Sequence, residues 1–322
     1  MKTINLLSWG GGTQSTALMI KMLNEEVKDS NNKPVKLDYI MFADTKNESE
    51  MVYAQIYKVQ KYIKDHYNFD IIITAKNKEL KPDVEIIRMI KDGEIEKYRS
   101  SEYVDLFQSH ILFFKGIVDS IDVMPFWTRN KKTGVVGKTA FKQCTFAYKI
   151  DQLLKEVRIR ENIIRFIPKR HKINMFIGYS IDEFGRVKPN PKPYAENFAP
   201  LVDLRLSKQD CVDYVEKHLG FKPISSVCNI CYANDFNRVY KVYEQDKNGW
   251  AKLLLLDDAM ANKHKNHKLN DDVFMFKWQA DENVRLKDIS MEDYKEKYRK
   301  KYHQLSIFDM EQEMACMGGC FL

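Results

Sequence analysis

The chain has 322 residues, of which 44% are hydrophobic and 30% charged, and its formal net charge is +7. This length allows one large core, or a core with a smaller appended domain. The charged fraction and the lack of a long apolar run exclude a membrane-spanning or low-complexity protein. The basic excess indicates either an anionic ligand, such as a nucleotide or polynucleotide, or an ordinary surface with extra lysines.

The first part of the chain alternates between strand and helix patterns. Apolar runs at 4–9, 37–43 and 69–75 are typical of buried parallel strands, and helical periodicity covers 15–27 and 48–66. Such alternation predicts an α/β fold with a Rossmann-like parallel sheet and right-handed crossovers.

The rest of the chain is predicted to be mainly helical. Residues 76–142 form an insertion or lid with helices at 83–91 and 101–115, within a nucleotide-binding α/β domain over 1–205. A helical, cysteine-bearing C-terminal region with a tail covers 206–322. The remaining predicted elements are helices at 145–160, 207–219 (opened by a capping pattern at Ser207), 250–260 and 290–302, a strand at 173–179, and an extended loop around Pro189, Pro191 and Pro193.

A glycine loop follows the first predicted strand. Gly10, Gly11 and Gly12 come directly after it, and Ser15 and Thr16 open the next helix. Successive glycine amides can form a concave anion site, and a helix N-terminus adds partial positive charge. The loop lacks both the lysine of a Walker motif and the GxGxxG spacing of a dinucleotide fingerprint. It therefore predicts a phosphate cradle of another type, with a glycine turn that binds nothing as the alternative.

The segment 8–16, Ser-Trp-Gly-Gly-Gly-Thr-Gln-Ser-Thr, resembles the PP-loop of the ATP pyrophosphatase superfamily, usually written SGGxDS. The order of the later motifs is most similar to the phosphoadenosine phosphosulfate (PAPS) reductase family, including its phage and mobile-element members. Gly10 replaces the first Ser of the motif and Gln14 replaces its Asp. Both changes weaken the expectation of ATP cleavage to AMP and pyrophosphate, but phosphate binding by the backbone is unaffected. The later motifs lie at 42–45, 143–145, 148–150, 177–186, 200–211 and 228–231.

The resemblance implies a Rossmann-like sheet of the PP-loop (adenine nucleotide alpha hydrolase-like) type with a helical C-terminal part. It places Asp44 near the ribose, the adenine or a magnesium ion, whereas an aspartate at a strand end can also be a simple surface residue. It places Asp182 and Arg186 at the substrate anion, with Arg186 as a bidentate clamp. The implied nucleotide-binding residues are Ser8, Gly10, Gly11, Gly12, Thr13, Gln14, Ser15, Thr16, Asp44 and Asp182.

Two basic clusters could contact phosphates. The first contains Lys131, Lys132, Lys138 and Lys142, and the second covers 169–172. Either could bind a sulfonucleotide or the backbone of tRNA or DNA, but such runs are more often only solvated.

Six cysteines without an export signal are typical of a cytoplasmic protein without structural disulfides. Cys228 and Cys231 form a CxxC pair, and with Cys144 they resemble the [4Fe–4S] ligands of adenylyl-sulfate reductases, with one ligand fewer. A zinc site that joins Cys228 and Cys231 to the tail residues Cys316 and Cys320 is the competing hypothesis. The third hypothesis has no metal and a redox pair in the tail. Cys211 lies among apolar helix positions and is expected to be a core residue.

The leading function implied by the resemblance is sulfonucleotide reduction. A thiolate of Cys316 or Cys320 would attack the substrate sulfur, Arg186 would neutralise the sulfate end, and a thioredoxin-like reductant would release sulfite. The first alternative is ATP-dependent thiolation of tRNA or DNA. The second alternative is a nucleotide- or nucleic-acid-binding protein that has lost its chemistry.

Overall fold

The computed structural model of the protein describes residues 1–77, 79–119, 124–139, 144–265 and 269–302, with no side-chain description at 101 and 300–302. Its centre is a sheet of five parallel strands in the order β3-β2-β1-β6-β7. A small antiparallel sheet has the order β5-β4-β8. The strands are β1 (Lys2–Ser8), β2 (Tyr39–Ala43), β3 (Ile71–Thr74), β4 (Trp127–Arg129), β5 (Val136–Lys138), β6 (His171–Ile177), β7 (Ala195–Phe198) and β8 (Asp272–Phe274).

Helices connect and cover these strands. The capping box predicted at Ser207 is present, because its hydroxyl accepts a hydrogen bond from the N–H of Asp210 and the Asp210 carboxylate accepts one from the N–H of Ser207. The helices are α1 (Thr13–Leu23), α2 (Glu50–Tyr67), α3 (Asp83–Lys91), α4 (Leu106–Phe114), α5 (Asp151–Arg160), α6 (Pro200–Asp203), α7 (Lys208–Leu219), α8 (Phe236–Gln245), α9 (Lys247–Ala261), α10 (Lys277–Glu282) and α11 (Met291–Tyr302).

The central sheet is covered on both faces, and the apolar residues of β1 are divided between them. Leu7 packs into one cluster with α1, α2 and α7, whereas Ile4 and Leu6 pack into another with α5. Successive side chains of a strand point to opposite faces, so this division follows directly from the sequence of β1. Cys211 belongs to the first cluster and is 1% exposed, as predicted.

A separate apolar cluster joins the predicted insertion to the C-terminal region. Phe114 and Phe126 pack in it with Phe236 and Phe276. The small sheet makes the same connection, because β4 pairs with β5 on one side and with β8 on the other. The insertion at 76–142 therefore shares its core with residues beyond 205.

Several local features differ from the sequence-based expectations. β4, β5 and β8 were not predicted, because strands of three residues carry too few positions to show periodicity. β7 was not predicted because only two of its four residues, Ala195 and Phe198, are apolar. The helix expected over 145–160 begins with a π-helical turn, Phe146–Ile150, before α5. Within the described part of the chain, no helix combines the length and the apolar character that crossing a membrane requires.

Candidate functional site

The candidate site lies at the carboxyl edge of the central sheet, between β1 and β6. The strand order runs 3-2-1 to one side of β1 and 6-7 to the other. The connections after β1 and β6 therefore diverge and leave a crevice between them. Ligands of open α/β sheets bind in such a crevice.

The glycine loop after β1 is fixed by hydrogen bonds within the loop. The N–H of Gly10 donates to Ser15 Oγ at 3.1 Å, and the Trp9 indole donates to Thr16 Oγ1 at 3.0 Å. Gly11 has φ +73°, a left-handed conformation that favours glycine. Gly12 is the N-cap of α1 and provides no side-chain cap, so N–H groups of the first turn remain available to a ligand.

Gly178 permits a close approach of β6 to this loop. A Cβ atom at Gly178 would lie 2.5 Å from the backbone nitrogen of Ser15, which no neighbouring side chain could relieve. Gln55 fixes the other side of the loop, because its amide donates to the carbonyls of Gly11 (2.8 Å) and Ile224 (3.0 Å). The loop is therefore held between β6 and the segment around Ile224.

A cavity of about 500 Å³ opens in front of the loop. This volume lies within the roughly 300–1,000 Å³ of small-molecule sites. Four cationic side chains and two carboxylates are among the described residues that line it, so its polar groups favour an anion. The charged residues are Lys149, Arg186, Lys208, Arg238, Asp182 and Glu183.

Arg186 and Glu183 form an ion pair in the cavity wall. The Arg186 guanidinium also lies 4.8 Å from the ring centroid of Tyr179. The Gln14 amide donates to the same Glu183 carboxylate at 3.3 Å. Burial raises the pKa of Glu183 above its ordinary range, although Arg186 opposes the shift. Gln14, which replaces the motif aspartate, is thus next to an acidic residue from another loop.

The structure brings many of the predicted residues together. Arg186, whose role as a clamp is a prediction, also lines the cavity. The predicted nucleotide-binding residues that line the cavity are Ser8, Gly10, Gly12, Gln14, Ser15 and Asp182.

Other predicted residues of the loop have internal partners. The Thr16 hydroxyl donates to the carbonyl of Gly12 at 2.7 Å. Thr13 and Thr16 are each 1% exposed, and a Cβ atom at Gly11 would face Ile56. The side chains of Thr13 and Thr16 therefore shape the loop from behind.

Asp44 ends β2 as predicted, but it is not among the residues that line the cavity. Its carboxylate pairs with Lys46 Nζ at 2.7 Å and accepts a hydrogen bond from the Tyr53 hydroxyl at 2.8 Å. Burial and the neighbouring carboxylate raise the pKa of Tyr53. A nucleotide or magnesium contact of Asp44 remains a prediction.

The three described cysteines of the expected metal site lie in one region. Cys228 and Cys231 are buried in the cluster around Phe236, and Cys144 packs against it. The Cys228 thiol is 3.1 Å from Thr45 Oγ1 and donates to the Glu48 carboxylate at 3.5 Å.

The next feature is the arrangement of side chains that could ligate a metal ion. Within residues 1–302, apart from the gaps named above, no group of three or more His, Cys, Asp or Glu side chains is arranged to hold a metal ion. The three-thiolate set of Cys144, Cys228 and Cys231 stays a prediction. Cys316 and Cys320 lie outside the described residues, so the four-cysteine zinc site and the [4Fe–4S] cluster stay predictions.

The sequence analysis missed several residues at this site. Ser225, Ser226 and Arg238 reach the cavity from the C-terminal region, and no local motif marks them. Glu48 is buried and accepts a hydrogen bond from Ser226 Oγ at 3.0 Å, and burial raises its pKa. Lys149 also lines the cavity. It lies in the motif at 148–150, to which the resemblance assigns no specific role.

The basic clusters differ in their distance from the cavity. The cluster at 169–172 begins β6, so it lies at the opposite edge of the sheet. In the other cluster, Lys131 pairs with Asp272 at 3.7 Å, Lys138 lies over the ring of Tyr232, and Lys142 is outside the described residues. None of the described residues of either cluster lines the cavity.

The cavity at the carboxyl edge of the sheet thus combines main-chain hydrogen-bond donors with cationic side chains. Such a site can bind phosphate or sulfate groups and hold them rigidly. Comparisons with protein-family models, with curated proteins and with solved structures found no match to this chain.

Proposed function

We propose that the protein is a nucleotide-binding enzyme whose central cavity holds an adenine nucleotide. The phosphates lie on the glycine loop, and Arg186, Lys149 and Lys208 neutralise them. The observation that carries this proposal is the α1 N-terminus without a side-chain cap, which faces a cavity of about 500 Å³ lined by four cations. Assignment to the PP-loop type is part of the same proposal.

The proposed reaction is reduction of a sulfonucleotide, either PAPS or APS. A thiolate of Cys316 or Cys320 attacks the sulfonate sulfur and forms an S–S bond, while the S–O bond to the nucleotide breaks. The adenosine phosphate leaves with that bonding pair. A dithiol reductant of the thioredoxin class then attacks the cysteine sulfur, forms a disulfide and releases sulfite, so the two electrons come from thiols.

The residues of the cavity have defined tasks in this reaction. Arg186 offers a planar fork that matches the oxygens of a sulfate or phosphate. Its charge stabilises the leaving phosphate, on which negative charge develops as the S–O bond breaks. The main-chain donors of the loop keep the nucleotide in one position while the thiolate approaches.

The direct test is incubation of the full chain with radiolabelled PAPS or APS and a dithiol, and separately with ATP. We expect labelled sulfite from the sulfonucleotide. Cys316→Ser and Cys320→Ser identify the nucleophile, and Cys211→Ser, at a buried core position, is the matched control. Nucleotide binding without sulfite or pyrophosphate would instead support the binding protein that has lost its chemistry.

Metal content is measured on the same preparation. Iron and sulfide in anaerobically purified protein would support the [4Fe–4S] prediction, and stoichiometric zinc would support the zinc prediction. Nucleotide binding does not depend on either result, because the proposed phosphate contacts come from the loop and the cations.

The second candidate is ATP-dependent thiolation of a base in tRNA or DNA. ATP would adenylate a carbonyl oxygen of the base with release of pyrophosphate, and a cysteine persulfide would then attack that carbon and displace AMP. A second thiol would cleave the resulting disulfide and leave sulfur on the base. The observation that favours this candidate is a second cavity next to the first, with Arg186 in both linings. Release of pyrophosphate from ATP only when RNA or DNA is added would support it.

A further inference from the structure

The second cavity has a volume of about 250 Å³ and adjoins the first. Ile150, Ile177 and Arg186 line both. A ligand in the second cavity would therefore meet a ligand in the first across the Arg186 side chain. Two substrates of one transfer reaction need this kind of proximity.

The π-helical turn at 146–150 contributes lining residues to both cavities. Lys149 lines the first cavity, and Phe146 lines the second. π-Helical turns are rare and occur frequently at functional sites, because the extra residue changes the direction of a side chain. This turn thus places a cation and an aromatic ring in neighbouring sites.

The walls of the second cavity are rich in aromatic, proline and aliphatic side chains. Phe146 is 36% exposed, so folding leaves part of its ring open to a ligand. Phe198 is held by a stacked contact with Phe176, with ring centroids 5.5 Å apart. Aromatic side chains of this kind suit a planar ring that stacks on them. The aromatic and proline residues of the wall are Phe146, Tyr179, Phe198, Pro189 and Pro191.

Two lysines lie near these rings. Lys188 lines the cavity and is exposed, and Lys192 Nζ lies 5.0 Å from the ring centroid of Phe146. Single-stranded nucleic acids are bound by this combination, with bases stacked on aromatic rings and phosphates contacting neighbouring lysines or arginines. The cavity has half the volume of the first, which suits one ring better than a whole nucleotide.

We infer that the second cavity binds one unstacked base of a single-stranded RNA or DNA segment, with the flanking phosphates on Lys188 and Lys192. The inference rests on the proposed function in one respect, which is that a nucleotide occupies the first cavity on the other side of Arg186. The net charge of +7 favours such a polyanionic partner. The cluster at 169–172 takes no part, because it lies at the opposite edge of the sheet.

The test uses the full chain and fluorescein-labelled single strands of RNA and of DNA, each about 12 nucleotides of mixed sequence, a length typical of single-strand sites. Fluorescence anisotropy gives the affinity at several salt concentrations. Phe146→Ala removes the ring, and Phe146→Leu keeps apolar volume without it. Tyr57→Ala is the matched control, because Tyr57 is an aromatic residue on α2 that is 65% exposed.

We expect Phe146→Ala to weaken oligonucleotide binding about 5- to 150-fold, the range measured when a stacking ring is lost. Phe146→Leu should recover only part of that loss, and Tyr57→Ala should bind like the unaltered chain. The double variant Lys188→Gln/Lys192→Gln should lower the slope of log affinity against log salt by about 2. The double variant Lys169→Gln/Arg170→Gln, with the same charge change at the opposite edge, should leave the slope unchanged.

Three results would overturn the inference. The first is an unaltered chain that binds ATP or PAPS but neither oligonucleotide, and this result leaves the proposed function standing. The second is a loss of nucleotide affinity in Phe146→Ala with unchanged oligonucleotide affinity, because the second cavity would then belong to the nucleotide site. The third is equal oligonucleotide binding by the unaltered chain and both Phe146 variants. A preference for RNA over DNA, or the reverse, would identify the source of the base.

Discussion

Two short sequence motifs have different surroundings in the structure. They are the glycine loop at 10–16 and the cysteine turn at 228–231. The loop presents Gly10, Gly12 and Ser15 to a cavity lined by cations. The turn is buried, and the Cys228 thiol lies within hydrogen-bond distance of Thr45 and Glu48. The first motif thus forms an open site, and the second is part of an apolar cluster.

This difference follows from where each motif obtains its geometry. A glycine loop between a strand and a helix uses its own consecutive main-chain groups, so its local sequence specifies its shape. A metal site needs side chains that distant segments bring together. The loop could therefore be predicted with its residues, whereas the cysteine ligand set depends on tertiary contacts that spacing does not specify.

The largest expected effect is at Gly178, on which the shape of the loop depends. Gly178→Ala should lower the free energy of unfolding by about 1–3 kcal/mol, because its Cβ would overlap the backbone of Ser15. The Gly178→Ala variant should also lose nucleotide binding. Gly185→Ala is the control, since no atom lies within 4 Å of a Cβ there. Thermal or urea unfolding of both variants measures the difference, and equal stability would show that the approach of β6 is not tight.

The next effect is at Arg186. Arg186→Gln should weaken nucleotide binding about 10- to 100-fold, because a hydrogen bond to a charged group contributes about 1.5–3 kcal/mol. Arg186→Lys keeps the charge but loses the planar fork, so its affinity should be intermediate. Arg170→Gln, before β6 at the opposite edge of the sheet, should bind normally. Equal affinity in the two Gln variants would remove Arg186 from the site.

A smaller effect concerns pH and Glu183. The raised pKa of this carboxyl means that it is protonated at low pH and becomes a carboxylate as the pH rises through that value. The Glu183 carboxylate repels phosphate and neutralises the Arg186 guanidinium. Nucleotide affinity should therefore fall as the pH rises over this range. Glu183→Gln should remove the fall and bind about fivefold more tightly at neutral pH, a gain of about 1 kcal/mol. Titrations at several pH values compare the two proteins, and parallel profiles would contradict the prediction.

The smallest effect is expected in the cysteine turn. Cys228→Ser should change nucleotide affinity by less than about twofold, since Cys228 does not line the cavity. Its thiol contact with Glu48 can be kept by a hydroxyl. A loss comparable to that of Arg186→Gln would show that the turn and the loop form one site, and the contrast between them would disappear.

Much of the fold could be predicted because its signals are local. The apolar runs of β1 and β2, the periodicity of α2 and the capping box at Ser207 all depend on neighbouring residues. The small sheet could not be predicted, because β8 pairs with β4 across a large sequence separation and each has three residues.

The same rule applies to the candidate site. Gly10, Gly12 and Ser15 could be identified because they belong to one continuous motif. Ser226 and Arg238 could not, because they are more than 200 positions away in sequence and only tertiary contacts bring them to the cavity. The hydroxyl of Thr16, another predicted nucleotide-binding residue, bonds to Gly12 and Trp9 within the loop.

The most direct test of the central claim is calorimetric titration of the full chain with ATP, PAPS and APS, alongside Arg186→Gln. The cavity predicts saturable binding of one nucleotide per chain, with affinity at least about tenfold lower in the variant. Absence of saturable binding for all three nucleotides, or binding of equal affinity in both proteins, would contradict the account.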